Sequence, residues 1–393
     1  MNELILTNGR FLTPSGIVEG SLVAEDGRIA VVDEHPRDGI NLRGALVTPG
    51  FIDLHNDGLE GEINPRPGVG LPVDFALANF DRRAAASGIT LAFHAITFAG
   101  LEKKERTVRE ANERALLIRS LKPNDSIIEH QVLFRADVWQ PDGLELLFDR
   151  AREWDTRLVT LNDHTPGQGQ YRDIEIYREA IQKWVQTSSD AELDAHVEAK
   201  VTFARENPHL AAETFARCAK AVREIGVTLG SHDDDSPART EMMFGLGATI
   251  AEFPVTVEAA IRARELGMTI VAGAPNIVRG GSHSGNVAAE ELVALGLCDI
   301  LVADYHAPSL LLAAQRLVER HGIRLEAAMA LIGANPARAI GRPDLGAIAP
   351  GMTATLTIID TPSHRAWQAR GVVREGHLRA SFLGEPSPEL AVA

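Results

Sequence analysis

Between residues 49 and 344 the chain alternates eight times between a short apolar run ending in polar residues and a stretch with helical spacing. The runs are FIDLH, GITLAFHAIT, EHQVLFRADVW, RLVTLNDHT, GVTLGSHDD, GATIAEFP, MTIVAGAPN and DILVADYH. Stretches such as ALANFDRRAAAS, RTVREANERALLIRS, AETFARCAKAVREI and SLLLAAQRLVERH lie between them. A short apolar run bounded by turn residues reads as a strand, and repeated strand–helix alternation demands a parallel sheet covered by helices. Eight repeats predict an α/β chain built on a (β/α)8 TIM-like barrel. A doubly wound open sheet is the other arrangement such alternation allows. The count of eight and the polar residue at nearly every run's end favour the barrel.

The two ends of the chain have a different texture. Residues 1–48 and 345–393 carry short strand-like runs broken by Asn-Gly, Asp-Gly and Pro-Gly turns. They predict a small β-sandwich domain assembled from both termini, with residues 49–344 inserted as the barrel. A helical, heavily charged insertion near 166–225 follows RLVTLNDHT. It is expected either to cover the barrel mouth or to be a solvated embellishment.

At 393 residues the chain exceeds one ordinary compact core, in keeping with a large and a small domain. The formal net charge of −15 disfavours nonspecific binding to nucleic acid or to anionic membranes. No apolar run reaches the roughly 18 residues of a membrane span. Cys218 and Cys298 form no CxxC pair, which sets aside zinc ribbons and thioredoxin-like redox chemistry. The first residues, MNELILTNGR, lack the pattern of a secretory signal, so the cytoplasm is the expected location.

Barrel enzymes place their chemistry at the C-terminal ends of the strands. The residues there are His55, Asp57, Asp137, His164, His232 and Asp304. Strand side chains alternate with period two, so His55 and Asp57 share a side, as do Arg135 and Asp137. Imidazoles and carboxylates crowded at one mouth are costly without a partner, and a divalent ion supplies one. The donor set suits zinc first, with iron, manganese or nickel compatible, as one or two ions per chain.

Three stretches of the chain resemble the amidohydrolase superfamily: GALVTPGFIDLHND, GANPARAIGRPDLGAIAPGMTATLTIID and the last strand closing on Asp304. The usual motif on the first strand is His-x-His, whereas Asp57 stands second here. One branch shares that departure, the phosphonate-pathway diphosphatases (PhnM). HNDGLEGEINPRPGV, NDHTPGQGQYRD, SHDDDSP, EFPVTVEAA, GAPNIVRGGSHSGN and ADYHAPSLLLAA resemble it. The resemblance implies a metal-dependent hydrolase that cleaves a ribose 1-phosphonate 5-triphosphate to the 5-phosphate and pyrophosphate. It also implies metal roles for His55, Asp57, His164, His232 and Asp304, with Asp137 beside them, and a homodimer.

Roles at the mouth follow. Asp304 is placed to take the proton of a water activated by the ion, and His283 to protonate a leaving group. Arg279, Gly280, Gly281, Ser282, Ser284 and Asn286 form a glycine-rich loop suited to phosphate, and Arg66, Arg135 and Arg172 offer planar forks for its oxygens. The helix expected after that loop would direct its N-terminus at an anion. Asp233 and Asp234 are expected to support His232 from behind. The alternative activity is hydrolysis of a C–N bond, which the same metal centre could perform. A scaffold without catalysis would need none of the strand-end residues.

Overall fold

Turn residues and short apolar runs at the start of the chain produce five strands: β1 (Glu3–Thr13), β2 (Gly16–Glu25), β3 (Arg28–Asp33), β4 (Ile40–Asn41) and β5 (Leu46–Pro49). The central segment contributes β6 (Phe51–Asn56), β7 (Ile89–Thr97), β8 (Glu129–Asp137), β9 (Leu158–Asn162), β10 (Thr228–His232), β11 (Ala248–Glu252), β12 (Thr269–Gly273) and β13 (Ile300–Val302). After them come β14 (Leu356–Asp360), β15 (Gln368–Arg374) and β16 (His377–Ser381). This computed structural model describes residues 3–66, 68–100, 107–185, 189–282 and 285–382.

The terminal strands join into one sheet in the order β16-β15-β14-β5-β1-β2-β3, with β4 alongside β1. The sandwich anticipated from the sequence takes the form of this single sheet curled on itself. Its edge at β3 meets the segment before β14 through Ile29 N–H to Met352 O (2.8 Å) and Ala354 N–H to Gly27 O (2.8 Å). Leu6, Phe11, Leu22, Val47, Leu356 and Ile358 fill the curl and are fully buried. Asp26-Gly27 and Glu375-Gly376, all with positive φ, make the tight turns of the β2–β3 and β15–β16 hairpins. The turns lie against each other, and a Cβ on Gly376 would stand 2.9 Å from Gly27 Cα, closer than two atoms can approach.

The second sheet runs β13-β12-β11-β10-β9-β8-β7-β6, every ladder parallel. Its two faces separate cleanly. Leu91, Phe93 and Leu133 belong to an interior cluster, while their neighbours Ala92, Val132 and Phe134 pack outward against the helices. Burying each such side chain stabilises by roughly 1.5–3 kcal/mol. Ala337, Ile340 and Leu345, from the exit toward the small sheet, join the interior cluster.

Closure at β6 and β13 uses few backbone bonds, and they fall at the mouth. Asp304 N–H donates to His55 O (2.9 Å) and Asp57 N–H donates to Asp304 O (2.7 Å). Asp53, fully buried, accepts from Ala303 N–H (2.9 Å) and Asn56 Nδ2 (2.6 Å). Its carboxylate does at the seam what a ladder carbonyl does elsewhere. Burial outweighs those donors and pushes its pKa up to about 7. The charged insertion is helical, with helices at Ile174–Val185, Asp190–Glu206 and Pro208–Ile225.

Candidate metal centre

Each strand of the barrel ends where its chain must turn outward into a loop. At three of these ends the first residue beyond the strand, or the second, is left-handed without being glycine: Asp233 (φ 58°), Phe253 (φ 52°) and Asp304 (φ 54°). Such a backbone costs on the order of 1–3 kcal/mol and persists where surrounding structure enforces it. Here the enforcement is visible. Asp233 N–H donates to Glu252 O (2.9 Å), Phe253 N–H to Val271 O (2.8 Å) and Asp304 N–H to His55 O.

These turns gather three overlapping groups of ligand-type atoms, each group lying within 4.8 Å of one another: His55, Asp57 and Asp304; His164, His232 and Asp233; and His55, His232 and Glu252. His55 Nε2 faces Asp57 Oδ2 at 3.8 Å, and His232 Nε2 faces Asp233 Oδ2 at 3.5 Å. The two rings stack with centroids 5.5 Å apart and an interplanar angle of 20°. The His164 ring stands edge-on to His232 at 6.2 Å. Five of the six strand-end residues anticipated for metal therefore meet. Asp137 does not join them. It accepts from Trp139 N–H at 2.8 Å and belongs to none of the three groups among the described residues. Burial raises its carboxyl to about 6.

Two members carried less weight in the sequence. Asp233 was expected only to support His232, yet its Oδ2 faces the Nε2 side of that ring and makes no hydrogen bond. Glu252, the last residue of β11, was not singled out at all. It is buried, and its Oε2 accepts from His232 Nδ1 (3.1 Å), His55 Nδ1 (3.3 Å) and Thr160 Oγ1 (3.2 Å). The signal is one glutamate in the run ATIAEF, at the end of one of the three strands, β7, β11 and β12, that contribute no strand-end candidate to the sequence reading.

Electrostatics follow the crowding. Burial opposes a charge on His55, but Glu252 and Asp57 outweigh it and raise the imidazole to about 10. Burial likewise opposes charge on Glu252, and the two imidazoles overcome it and hold the carboxyl well below its usual range. Burial and then Asp57 raise Asp304 to about 6. Arg135 sends Nη1 to Asp57 Oδ1 (3.3 Å) and Nη2 to Asn162 Oδ1 (3.2 Å), and its charge reaches Asp137, Asp233 and Asp304.

The donor set fits a divalent ion. It is mixed imidazole nitrogen and carboxylate oxygen, it includes the buried unbonded Asp233 Oδ2, and it is acidic beyond what Arg135 neutralises.

The loops around the mouth are tied to the same turns. Asp163 accepts from Trp139 Nε1 (3.0 Å), Thr165 Oγ1 (2.8 Å) and Gln168 Nε2 (2.7 Å), which holds the loop carrying His164 and Arg172. The glycine-rich loop follows a short helix, Ala274–Arg279, whose left-handed cap is Gly280, and Gly281 follows it at φ 141°. Val287 N–H to Val255 O (3.0 Å) and Val255 N–H to Asp234 O (2.8 Å) stitch that loop to the mouth, and Asn286 Oδ1 is buried without a hydrogen bond. His283 and Ser284 lie outside the described residues. The helix after the loop, Ala289–Ala294, is only six residues long, and Asn276 Oδ1 takes its first N–H (3.1 Å). That N-terminus is therefore committed within the protein, contrary to the expectation that it faces an anion. Arg66 lies beyond the helix Gly58–Ile63, in a bridge with Val69.

Residues 46–382 match the amidohydrolase family. The chain belongs to the amidohydrolase family. As a member it is a metal-dependent hydrolase. This amidohydrolase is 35% identical over 371 residues to an Escherichia coli protein, alpha-D-ribose 1-methylphosphonate 5-triphosphate diphosphatase, covering 90% of this chain and 94% of the relative. Its fold matches dihydropyrimidinase from Brevibacillus agri (TM-score 0.62, 12% identity, 96% of this chain and 94% of the other). It also matches a beta-aspartyl dipeptidase from Fervidobacterium islandicum (TM-score 0.62, 13% identity, 97% of each chain). No helix among the described residues is long and apolar enough to cross a membrane.

Proposed function

We propose that this amidohydrolase is a diphosphatase that cleaves a ribose 1-phosphonate 5-triphosphate, or a closely related phosphorylated sugar, to the 5-phosphate and pyrophosphate. The observation that carries the reading is the pairing of two ligand triads with Arg135 at the mouth. His55, Asp57 and Asp304 face one side, His164, His232 and Asp233 the other, and Arg135 stands among their carboxylates. The full-length similarity to the Escherichia coli diphosphatase supports the same substrate class.

The triads would hold one or two divalent ions, with zinc the first candidate. A bound ion supplies Lewis acidity and lowers the pKa of water toward about 7. The remaining work belongs to the chain. Asp304, locked against β6 by two backbone bonds, accepts the proton of the attacking water at its carboxylate. Arg135, rigidly forked between Asp57 and Asn162, offers charge to the equatorial oxygens of the phosphoryl group, which demand positive charge in transfer. Gly280, Gly281, Ser282 and Asn286, with Arg279 before them, would border the leaving pyrophosphate; His283 and Ser284, expected there from the sequence, lie outside the described residues. Arg66 and Arg172 are the rim arginines that would meet its outer charge. Pyrophosphate needs many donors as it departs, and this loop can approach closely at its two glycines.

Phosphorus NMR of metal-supplemented protein tests the reading. The panel holds the phosphonate sugar triphosphate, nucleoside triphosphates, cyclic amides and aminopurines. Pyrophosphate released from the phosphonate sugar is the expected result. Silence on every phosphate, with turnover of an amide or amine, would transfer the chemistry to C–N bonds.

A further inference from the structure

We infer that Glu252 is the positioning residue for both halves of the metal centre: one carboxylate oxygen, held by Thr160, fixes the orientation of His55 and His232 together. The inference rests on the metal reading proposed above and concerns how the chain prepares for the ion.

Its basis is that a single atom is shared. Glu252 Oε2 lies 3.1 Å from His232 Nδ1 and 3.3 Å from His55 Nδ1, and Thr160 Oγ1 donates to the same atom from 3.2 Å. The two histidines come from β6 and β10, which are not neighbours in the sheet. An ionised carboxylate accepts and cannot donate. Both imidazoles must therefore carry a proton on Nδ1 when they bond to it. Each ring then directs Nε2 away from Glu252, toward Asp57 in one case and Asp233 in the other. Those two carboxylates belong to different ligand triads. The two rings stack 20° from parallel with the shared oxygen at their Nδ1 edges. Burial excludes water as a substitute acceptor, since Glu252 is only 2% exposed and His55 1%. Partners that orient ligating imidazoles through the far nitrogen ordinarily change metal affinity by about 10–100-fold when removed. Such partners usually serve one histidine. Here the loss should fall on both triads at once.

Zinc titration calorimetry of chelator-stripped protein, with histidine ring nitrogen–proton NMR of the zinc-loaded form, tests this. Wild type should show two slowly exchanging Nδ1-bound protons. Glu252→Ala should lose both and weaken every zinc-binding event by about 10–100-fold. Glu252→Gln keeps the volume and one oxygen acceptor, so its loss should be smaller. Thr160→Val, which touches neither ring's bond, should lose less again. Where Glu252→Ala fails to fold, the Gln and Val variants carry the same comparison against wild type. Weakening confined to one of two binding events would overturn the shared role. Absence of Nδ1-bound protons in zinc-loaded wild type would also overturn it, because Glu252 or the Nδ1 atoms would then be ligands themselves. Wild type that takes up no zinc or other divalent ion would instead remove the metal reading beneath it.

Discussion

Two groups in this barrel each hold a stacked pair of histidines and a carboxylate. At the mouth, His55 and His232 flank Glu252. On the flank, His94 and His130 stack at 5.2 Å and 12° with Asp81 at one end. The residue types match, and the wiring differs. At the mouth the carboxylate sits between the rings, so both Nε2 atoms are turned toward further carboxylates. On the flank the bonds run in a line. His130 Nε2 meets Asp81 Oδ1 at 3.2 Å, and His130 Nδ1 meets His94 Nε2 at 2.9 Å. Asp81 also accepts from Ile127 and Ile128 N–H. Protons therefore point toward Asp81 along the line, and His94 Nδ1 is left as a buried lone pair with no hydrogen-bond partner, its ring edge-on to Phe80. A 470 Å3 cleft reaches Asp81 and His130 and is lined also by Asp74 and Asp125, but none of these joins the rings in a ligand group among the described residues. Two histidines and an acid thus form a candidate metal centre only where topology brings more acids to the outer nitrogens.

The sharpest way to break the comparison is to truncate one histidine from each pair. His55→Ala should lose bound metal and reduce kcat/KM by about a thousandfold or more, the several kcal/mol an ion contributes. His94→Ala should keep its metal and instead lose about 1–3 kcal/mol of stability, from a broken buried bond. Metal analysis and denaturant unfolding separate the two, and a His55→Ala enzyme with full metal and normal turnover would end the assignment.

Substitution of the acids is the next largest contrast. Asp233→Asn keeps a residue that tolerates the left-handed backbone, so the fold should survive. It removes the buried charge facing His232 and should weaken metal binding by about 10–100-fold, in the range seen for disturbed metal sites. Asp81→Asn should leave metal affinity at the wild-type value while lowering the unfolding midpoint.

Per pH unit, the smallest effect is in the acid dependence of stability. Burial, and then His130, hold His94 well below its ordinary 6.5, so the unfolded chain takes up that proton first as pH falls. His94's contribution is therefore lost below pH 6.5, by about 1.4 kcal/mol per unit until the folded form titrates, against the opposite contribution of the raised carboxyls of Asp53, Asp137 and Asp304 over the same window. Asp81 adds a second loss. Burial opposes its charge, but His130 and the two N–H donors keep its carboxyl below the ordinary 3.8, so its contribution is present above pH 3.8 and disappears below it. His94→Phe, which fills the site beside Phe80, should flatten the upper part of the profile only. A curve parallel to wild type between pH 6.5 and 4 would contradict the neutral His94.

The eight strands were legible because a strand buried on both faces must be a short apolar run, and a parallel sheet must alternate such runs with helices. The mouth was legible at His55, Asp57, His164, His232 and Asp304 because a polar residue ending an apolar run is costly unless used. Glu252 escaped because it looks like the polar end of any strand, and its value lies in two imidazoles from strands that are not its own. Asp233 escaped for a related reason: its side chain is turned by a left-handed backbone that period-two alternation does not anticipate.

By itself, then, the sequence determined the barrel and the terminal β domain, which follow from local periodicity, and it supplied the imidazole and carboxylate residues that the strand ends bring to the mouth. Which nitrogen of each imidazole faces Glu252, that Asp137 stands apart, and that one pair of histidines gathers acids while another packs against Phe80 and Asp81 were decided only by the tertiary structure. Those outcomes depend on contacts between residues far apart in the chain, with long-range distances of a few ångströms that no local pattern encodes.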